Sequence, residues 1–285
     1  MLWQRVATAL VLLLVLLPAM FYPSATPLTA LALVFIAAAA WEWARLVGYG
    51  PVIALGSAAC TVLACALTWQ AGFLQTPLTA WWAGIGLLWV VGGAILLRGG
   101  AGLWLRLPAG MKLALGFLVL LAAWLAVAQA RNVGINFLLS ILALVWVADI
   151  CAYFAGRAWG GRVVPGKLAP SISPGKTWEG VFGGMAGVLL LAVGWAWLDG
   201  RLAVTTPSLY SQLLSDGRWY MLLAIAGLAG MSVVGDLIES LLKRAAQVKD
   251  SSRLLPGHGG VLDRIDALLP TLPLAMLLHA AVPGP

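Results

Sequence analysis

Near the C-terminal end, the segment SVVGDLIESLLKR places Asp236, Glu239, Ser240 and Lys243 at i, i+3, i+4 and i+7. On a helix that spacing lines one face with carboxylates, a hydroxyl and an ammonium. Shortly after it comes KDSSRLLPGHGGVLDRID, Lys249 to Asp266, which gathers three aspartates, three cations, a histidine and three glycines. Pro256, Gly257, Gly259 and Gly260 set a tight turn whose backbone can approach a ligand closely. Asp263 and Asp266 lie one helical turn apart just beyond it. Carboxylates converging from two helices form a hard-oxygen site of the kind Mg²⁺ takes, and cations beside them suit a polyphosphate. The plain alternatives are a water-facing Glu239–Lys243 pair, a helix cap for Asp263 or Asp266, and local hydrogen bonding for His258.

A second loop, GRAWGGRVVPGKLAPSISPGKTWEG, carries Arg157, Arg162, Lys167 and Lys176 among glycines and prolines. A helix is expected to start after Ser173 or Thr177, because Ser/Thr caps and an early Pro fit such a start. A helix N-terminus with a lysine nearby can seat a phosphate. The segment does not have the spacing of a Walker A loop. Gly180 and Gly184, then Gly183 and Gly187, form small-xxx-small pairs that favour close helix packing in a membrane.

The elements that must position these groups are apolar. The 285-residue chain is 62% hydrophobic and 9% charged, against about 25% charged for a soluble domain. Its mean hydropathy is +0.98. Apolar runs near 4–22, 28–47, 52–74, 78–97, 112–130, 135–155, 178–198, 219–238 and 262–282 are each of membrane-spanning length. They are too long and too continuously apolar for barrel strands. The expected fold is therefore all-α, a polytopic integral membrane helical bundle of about nine transmembrane helices. It reads as one continuous membrane domain, with helices 1–5 in residues 1–134. Residues 135–285 form a catalytic half of helices 6–9 and two cytoplasmic loops. The run after Arg5 is read as an uncleaved first helix rather than a signal peptide.

With nine crossings, 14 of the 17 Lys and Arg residues fall on one side, leaving only Arg131, Arg201 and Arg218 on the other. The positive-inside rule then places the N-terminus in the cytoplasm and the C-terminus outside a cytoplasmic (inner) membrane. The same bias accounts for the net charge of +7, so nucleic acid is not an expected partner. Eight of the ten acids share the cationic side, and Asp149, Asp236, Asp263 and Asp266 lie within or at the ends of apolar spans. Ionisable groups there are costly and usually functional. Cys60, Cys65 and Cys151 read as small core residues rather than a disulfide framework. Trp41, Trp43, Trp81, Trp82 and Trp219 read as an interfacial belt.

The run from Ser240 through Lys243-Arg244, Lys249-Asp250 and Pro256-Gly-His258-Gly-Gly-Val-Leu-Asp263-Arg264-Ile-Asp266 resembles, without a gap, the signature of the phosphatidate cytidylyltransferases. The segment from Asp149 to Gly180, with AYFAGR and KLAPSISPGKTWEG, is similar to the same family; Ile150-Cys151 departs from its small polar residues. Helices 1–5 carry no family motif. The resemblance implies that CTP and phosphatidic acid give CDP-diacylglycerol and pyrophosphate, with the lipid phosphate attacking the α-phosphorus in line. It implies a Mg²⁺ site at Asp236 and Asp263, with Asp266 and Asp149 next. Lys243, Arg244, Lys249 and Arg264 would hold phosphates, joined by Ser173 and Lys176 from the other loop. Ser240, Asp250, His258, Gly259 and Gly260 would complete the substrate site. A monovalent cation such as K⁺ and a homodimer are also implied. Two other readings stay open: a CTP-dependent polyprenol or phytol kinase, and a transporter of a phosphorylated solute, which broken helices and inverted repeats would favour.

Overall fold

The computed structural model describes residues 2–282, all helix and loop, with no strand among them. Helices α1 (Leu2–Phe21), α2 (Thr26–Val47) and α3 (Pro51–Gln70) follow in turn. Pro at the first turn of α2 and α3, and Gly48 in the left-handed region at φ 104° after α2, set these boundaries. Helix α4 (Thr79–Leu87) runs through a π-helical turn (Leu88–Gly92) into α5 (Gly93–Arg106). Gly100, at φ 62° and ψ −165°, breaks α5, so the predicted fourth span ends there and a short piece continues to Arg106. Then come α6 (Ala109–Val133), α7 (Ile135–Trp159), α8 (Trp178–Leu202), the short α9 (Leu209–Ser215) and α10 (Arg218–Ala245). The chain closes with α11 (Leu262–Ile265) and α12 (Leu268–Ala281).

Among the described residues eight helices are long and apolar enough to cross a membrane, so the chain is a multi-pass membrane protein. The expected ninth span is divided: α11 is a single turn and α12 has 14 residues, about 21 Å at 1.5 Å per residue. Helix α12 starts beside Gly235 of α10, where Pro270 packs, and ends at α9. Its His279 meets Gln212 at 2.6 Å and Phe137 at 4.9 Å between ring centroids, well away from Asp263.

Side-chain bonds tie each end of the bundle together. At one end Trp43 Nε1 donates to Lys112 O (2.9 Å), Glu42 meets Ser251 and Ser252, and Thr8 Oγ1 donates to Pro256 O (2.9 Å). At the other, Arg131 donates to Met20 O and Tyr22 O, and Gln129 to Phe73 O and Thr76 O. Asn136 there donates to Asp199, whose other oxygen accepts from Ser208 N and Ser211 Oγ. The termini themselves, Met1 and residues 283–285, lie outside the described residues. Two aromatic expectations change. Trp43 and Trp82 are buried (5% and 1% exposed) and belong to the core, whereas Trp219 is exposed. The three cysteines are free thiols.

Between helices in lipid, apolar burial supplies little drive, and close packing at small residues replaces it. Helices α7 and α8 show this. A Cβ at Gly184 would stand 2.9 Å from Ala148 O, and one at Gly180 would stand 3.0 Å from Ala152 O. Gly183 and Gly187 face Ala155 and Cys151 just as tightly. Gly184→Ala should therefore push α7 and α8 apart and destabilise the protein by about 1–3 kcal/mol. Gly194→Ala, in open space on the same helix, should leave the melting temperature in detergent unchanged or slightly raised. Equal melting of the two variants would contradict this packing.

Candidate active site

The two motif loops leave the bundle at the same end, and both are folded by short turns. In the first, Ser173 N donates to Ala169 O (2.8 Å) and Leu168 N to Lys176 O (3.1 Å). In the second, Leu255 N donates to Gly259 O (2.9 Å) and His258 N to Leu255 O (2.8 Å), with Gly257 and Gly259 in the left-handed region. Only glycine adopts that backbone readily, which accounts for their places in the turn. Helix α8 starts at Thr177, whose hydroxyl accepts from Gly180 N at 3.1 Å. Its first turn also carries buried Glu179, whose Oε1 accepts from the N–H groups of Gly161, Val163 and Val164 at 3.0–3.1 Å. That carboxylate pins the first loop and puts a negative charge where a phosphate seat was expected.

A cavity of about 460 Å³ opens between α7, α8 and α10, lined by Asp149, Lys176 and Asp236 above apolar Ala148, Met185 and Val233. Lys176 reaches across from the first loop and pairs with Asp236 Oδ2. Ser240 Oγ donates to Asp236 Oδ1 at 3.3 Å. Gly235 lets α12 come close: a Cβ there would meet Asp266 O and stand 2.9 Å from Pro270 Cδ. Asp266 thereby comes within reach of the charges of Asp236, Lys176 and Lys243, and Asp149 of those of Asp236 and Lys176.

A second group adjoins it through the same face of α10. Lys243 Nζ lies 2.6 Å from Glu239 Oε2 and 2.7 Å from Asp263 Oδ1. Glu239 is 3% exposed, so this i,i+4 pair faces the protein interior and not water. The other Asp263 oxygen accepts from Ser251 N (2.9 Å), Ser251 Oγ (2.9 Å) and Gly260 N (2.8 Å). Burial would raise the Asp263 carboxyl, but its contacts with Glu239, Lys243, Gly260 and Ser251 outweigh it and hold the group well below the usual carboxylate range. Asp263 is thus charged across the physiological range and has both oxygens occupied.

The sequence-predicted residues therefore fall into separate places. Asp149, Lys176 and Asp236 line the cavity, Ser240 and Asp266 lie behind them beside Asp236, and Lys243, Gly260 and Asp263 form the adjoining network. Arg244 is exposed in the last turn of α10 and ties that end to the first loop, its Nε donating to Ile172 O at 3.2 Å. Lys249 and Asp250 are exposed on the second loop, and Ser173 is held by its backbone. The His258 main chain supports the turn, its O accepting from Arg264 Nε at 3.1 Å; its buried Nδ1 has no partner among the described residues. Arg264 is not brought to the carboxylates. It lines a different cavity, about 260 Å³ and almost wholly apolar, between α1, α2, α6, α7 and α12.

No group of three His, Cys, Asp or Glu residues closes a metal site among the described residues. The donors do fit a cation completed by substrate. Asp236, with Asp266 and Asp149 near it, offers carboxylate oxygens, and the Lys176 ammonium already answers the Asp236 charge. Mg²⁺ characteristically takes one or two carboxylates plus substrate phosphates.

Reading the residues alone did not single out Glu42. It lies in α2, fully buried (0% exposed), and its carboxylate is filled by four donors from the second loop and α11. A lone acid in an apolar run, WEW, was the only signal available.

Membrane helices thus gather acids, lysines and two glycine-rich loops at one end. The family model for the cytidylyltransferase family matches residues 3–282, and the chain belongs to that family. It is 39% identical over 292 residues to the phosphatidate cytidylyltransferase of Pseudomonas aeruginosa, covering 99% of this chain and 98% of that protein. It is 46% identical over 140 residues to that of Haemophilus influenzae, covering 49% of this chain and 44% of that one. Against that of Staphylococcus epidermidis it is 38% identical over 151 residues, 53% of this chain and 51% of that one.

Proposed function

We propose that this chain is a phosphatidate cytidylyltransferase, forming CDP-diacylglycerol and pyrophosphate from CTP and phosphatidic acid. The observation that carries the reading is the cavity where Asp236 and Lys176 meet at the membrane end of α10, within a chain that matches the relative from P. aeruginosa along its whole length. A lipid phosphate oxygen attacks the α-phosphorus of CTP. The new P–O bond forms as the bond from that phosphorus to the bridging oxygen breaks, and pyrophosphate leaves with the electron pair. A phosphate monoester is already an anionic nucleophile, so the protein needs no strong base; positioning and charge neutralisation carry the catalysis.

A divalent cation, Mg²⁺ in this reading, would offset triphosphate charge when bound, and Asp236 with Asp266 or Asp149 would hold it. This shifts the pairing expected from sequence, Asp236 with Asp263, because the Asp263 oxygens are taken up by Lys243, Ser251 and Gly260. Lys176 turns from Asp236 to the triphosphate as substrate enters. Arg244 and Lys249, exposed at the loop surfaces, draw in the polyphosphate, and Lys243 sets the charge behind Asp263. Asp250, His258, Gly259 and Gly260 shape the turn that closes on the substrate, and Ser173 does so from the first loop. The active site faces the cytoplasm of an inner membrane, the enzyme works as a homodimer, and a monovalent cation such as K⁺ assists.

Lys176→Ala should lower kcat/KM for CTP about 10²-fold, in line with losing one preorganised charge at a phosphoryl centre. Steady-state pyrophosphate release checks this, and a change below twofold would remove Lys176 from the site.

A further inference from the structure

Glu42 sits on α2, outside the two motif loops, yet it reaches the second loop, far along the sequence. Its Oε1 accepts from Ser252 Oγ (2.5 Å) and Val261 N (2.9 Å) and its Oε2 from Leu262 N (2.7 Å), while Ser251 Oγ, with one proton for Glu42 and Asp263 together, lies 3.2 Å from Oε2. It forms no ion pair among the described residues. A fully buried carboxylate without a cation is costly, and charge-assisted hydrogen bonds of this number are what offset it. The backbone is shaped to the group. A Cβ at Gly260 would stand 2.5 Å from Glu42 Oε1, so a side chain there would collide with the carboxylate.

The donors are not incidental. Val261 and Leu262 open the turn of helix that carries Asp263 and leads to Asp266. Ser251 is shared: its hydroxyl lies 3.2 Å from Glu42 and 2.9 Å from Asp263 Oδ2. Asp263 in turn holds Lys243 at 2.7 Å. An unbroken chain of polar contacts therefore runs from α2 through Ser251 to Asp263 and on to α10.

We infer that Glu42 is a positioning residue for cytidylyl transfer: from α2 its carboxylate clamps Ser251, Ser252, Val261 and Leu262, fixing the loop that sets Asp263 and Asp266 against α10. This rests on the function proposed above, and the N-terminal helices then belong to the active site's scaffold rather than to a passive membrane anchor.

The test is Glu42→Gln in the full-length protein in detergent, read by steady-state kinetics and by amide hydrogen exchange. Gln keeps the shape but turns one acceptor into a donor facing N–H and O–H groups. The expected result is kcat lowered about 30-fold with KM for CTP within about threefold, the scale of a lost charge-assisted hydrogen-bond set. Amides 251, 261 and 262 should lose protection while those of α7 and α8 keep theirs. Unchanged kcat with unchanged protection overturns the inference, and so does protection lost uniformly along the chain, which would mark a general fold defect. If Glu42→Gln does not fold, Ser252→Ala removes one donor from the same clamp. It should cost about fivefold in kcat with the same local loss of protection. Full activity and full protection in that variant would also overturn the inference. Wild-type protein that exchanges as described but releases no pyrophosphate from CTP would refute the proposed reaction and leave the clamp itself standing.

Discussion

Asp236→Asn should abolish pyrophosphate release, lowering kcat at least about 10³-fold, in protein that still inserts and runs as a single species in detergent. The size follows from what the group does. Asp236 is the acid at the cavity wall that meets a cation from the opposite loop, and its charge is answered by Lys176 and flanked by Asp266 and Asp149. Removing a charge that anchors a divalent ion forfeits several kcal/mol of transition-state stabilisation, and each loss of about 1.4 kcal/mol is tenfold in rate. The fold should survive, because Asp236 is partly exposed and bonds only Lys176 and Ser240. Any residual activity should need at least about tenfold more divalent cation than wild type. Wild-type metal dependence in this variant would move the metal elsewhere.

Asp263→Asn should be nearly as severe but for another reason. One Asp263 oxygen takes Lys243 and the other takes three donors, so an amide in its place must turn an N–H toward one of these donors. Lys243 keeps Glu239 at 2.6 Å, so the loss is one of its two carboxylates together with the acceptor for Ser251 and Gly260, and it costs less than the about 3–5 kcal/mol of a fully broken buried pair. Turnover should fall at least about 10²-fold, and the second loop should become more sensitive to protease between Lys249 and Leu262. The divalent-cation dependence of what remains should match wild type, since the Asp263 oxygens are already occupied. A shifted metal dependence would restore Asp263 as a ligand, and near-normal activity would remove it from the site.

Much of this was legible from residue pattern alone. Hydropathy marked eight of the long helices, because a span of about 20 apolar residues has few soluble alternatives. The Asp236–Ser240 and Glu239–Lys243 contacts followed from helical periodicity, and the α7–α8 approach followed from the glycine spacing. What pattern could not supply was partnership. Both Lys176 and Lys243 read as phosphate ligands, yet each is held by a carboxylate of another element, Lys176 of the first loop by Asp236 of α10 and Lys243 of α10 by Asp263 of α11. Arg264 follows Asp263 directly, so on a helical turn it points about 100° away from it and reaches an apolar cavity. The last span reads as continuous because Ala267 to Ala281 is nearly all apolar; the charged residues ahead of it, Asp263, Arg264 and Asp266, fall instead in and just after a separate single turn before the 14-residue helix. Glu42 was hidden because its partners lie near the opposite end of the sequence and are backbone and serine groups, which leave no charge pattern.

The decisive experiment is pyrophosphate release by the purified protein in detergent with CTP, Mg²⁺ and phosphatidic acid, each omitted in turn. Release is expected only when all three are present, with a CDP-linked lipid as the second product. Transfer of the γ-phosphoryl group to a lipid alcohol with release of CDP, or no nucleotide turnover at all, would contradict the proposed reaction.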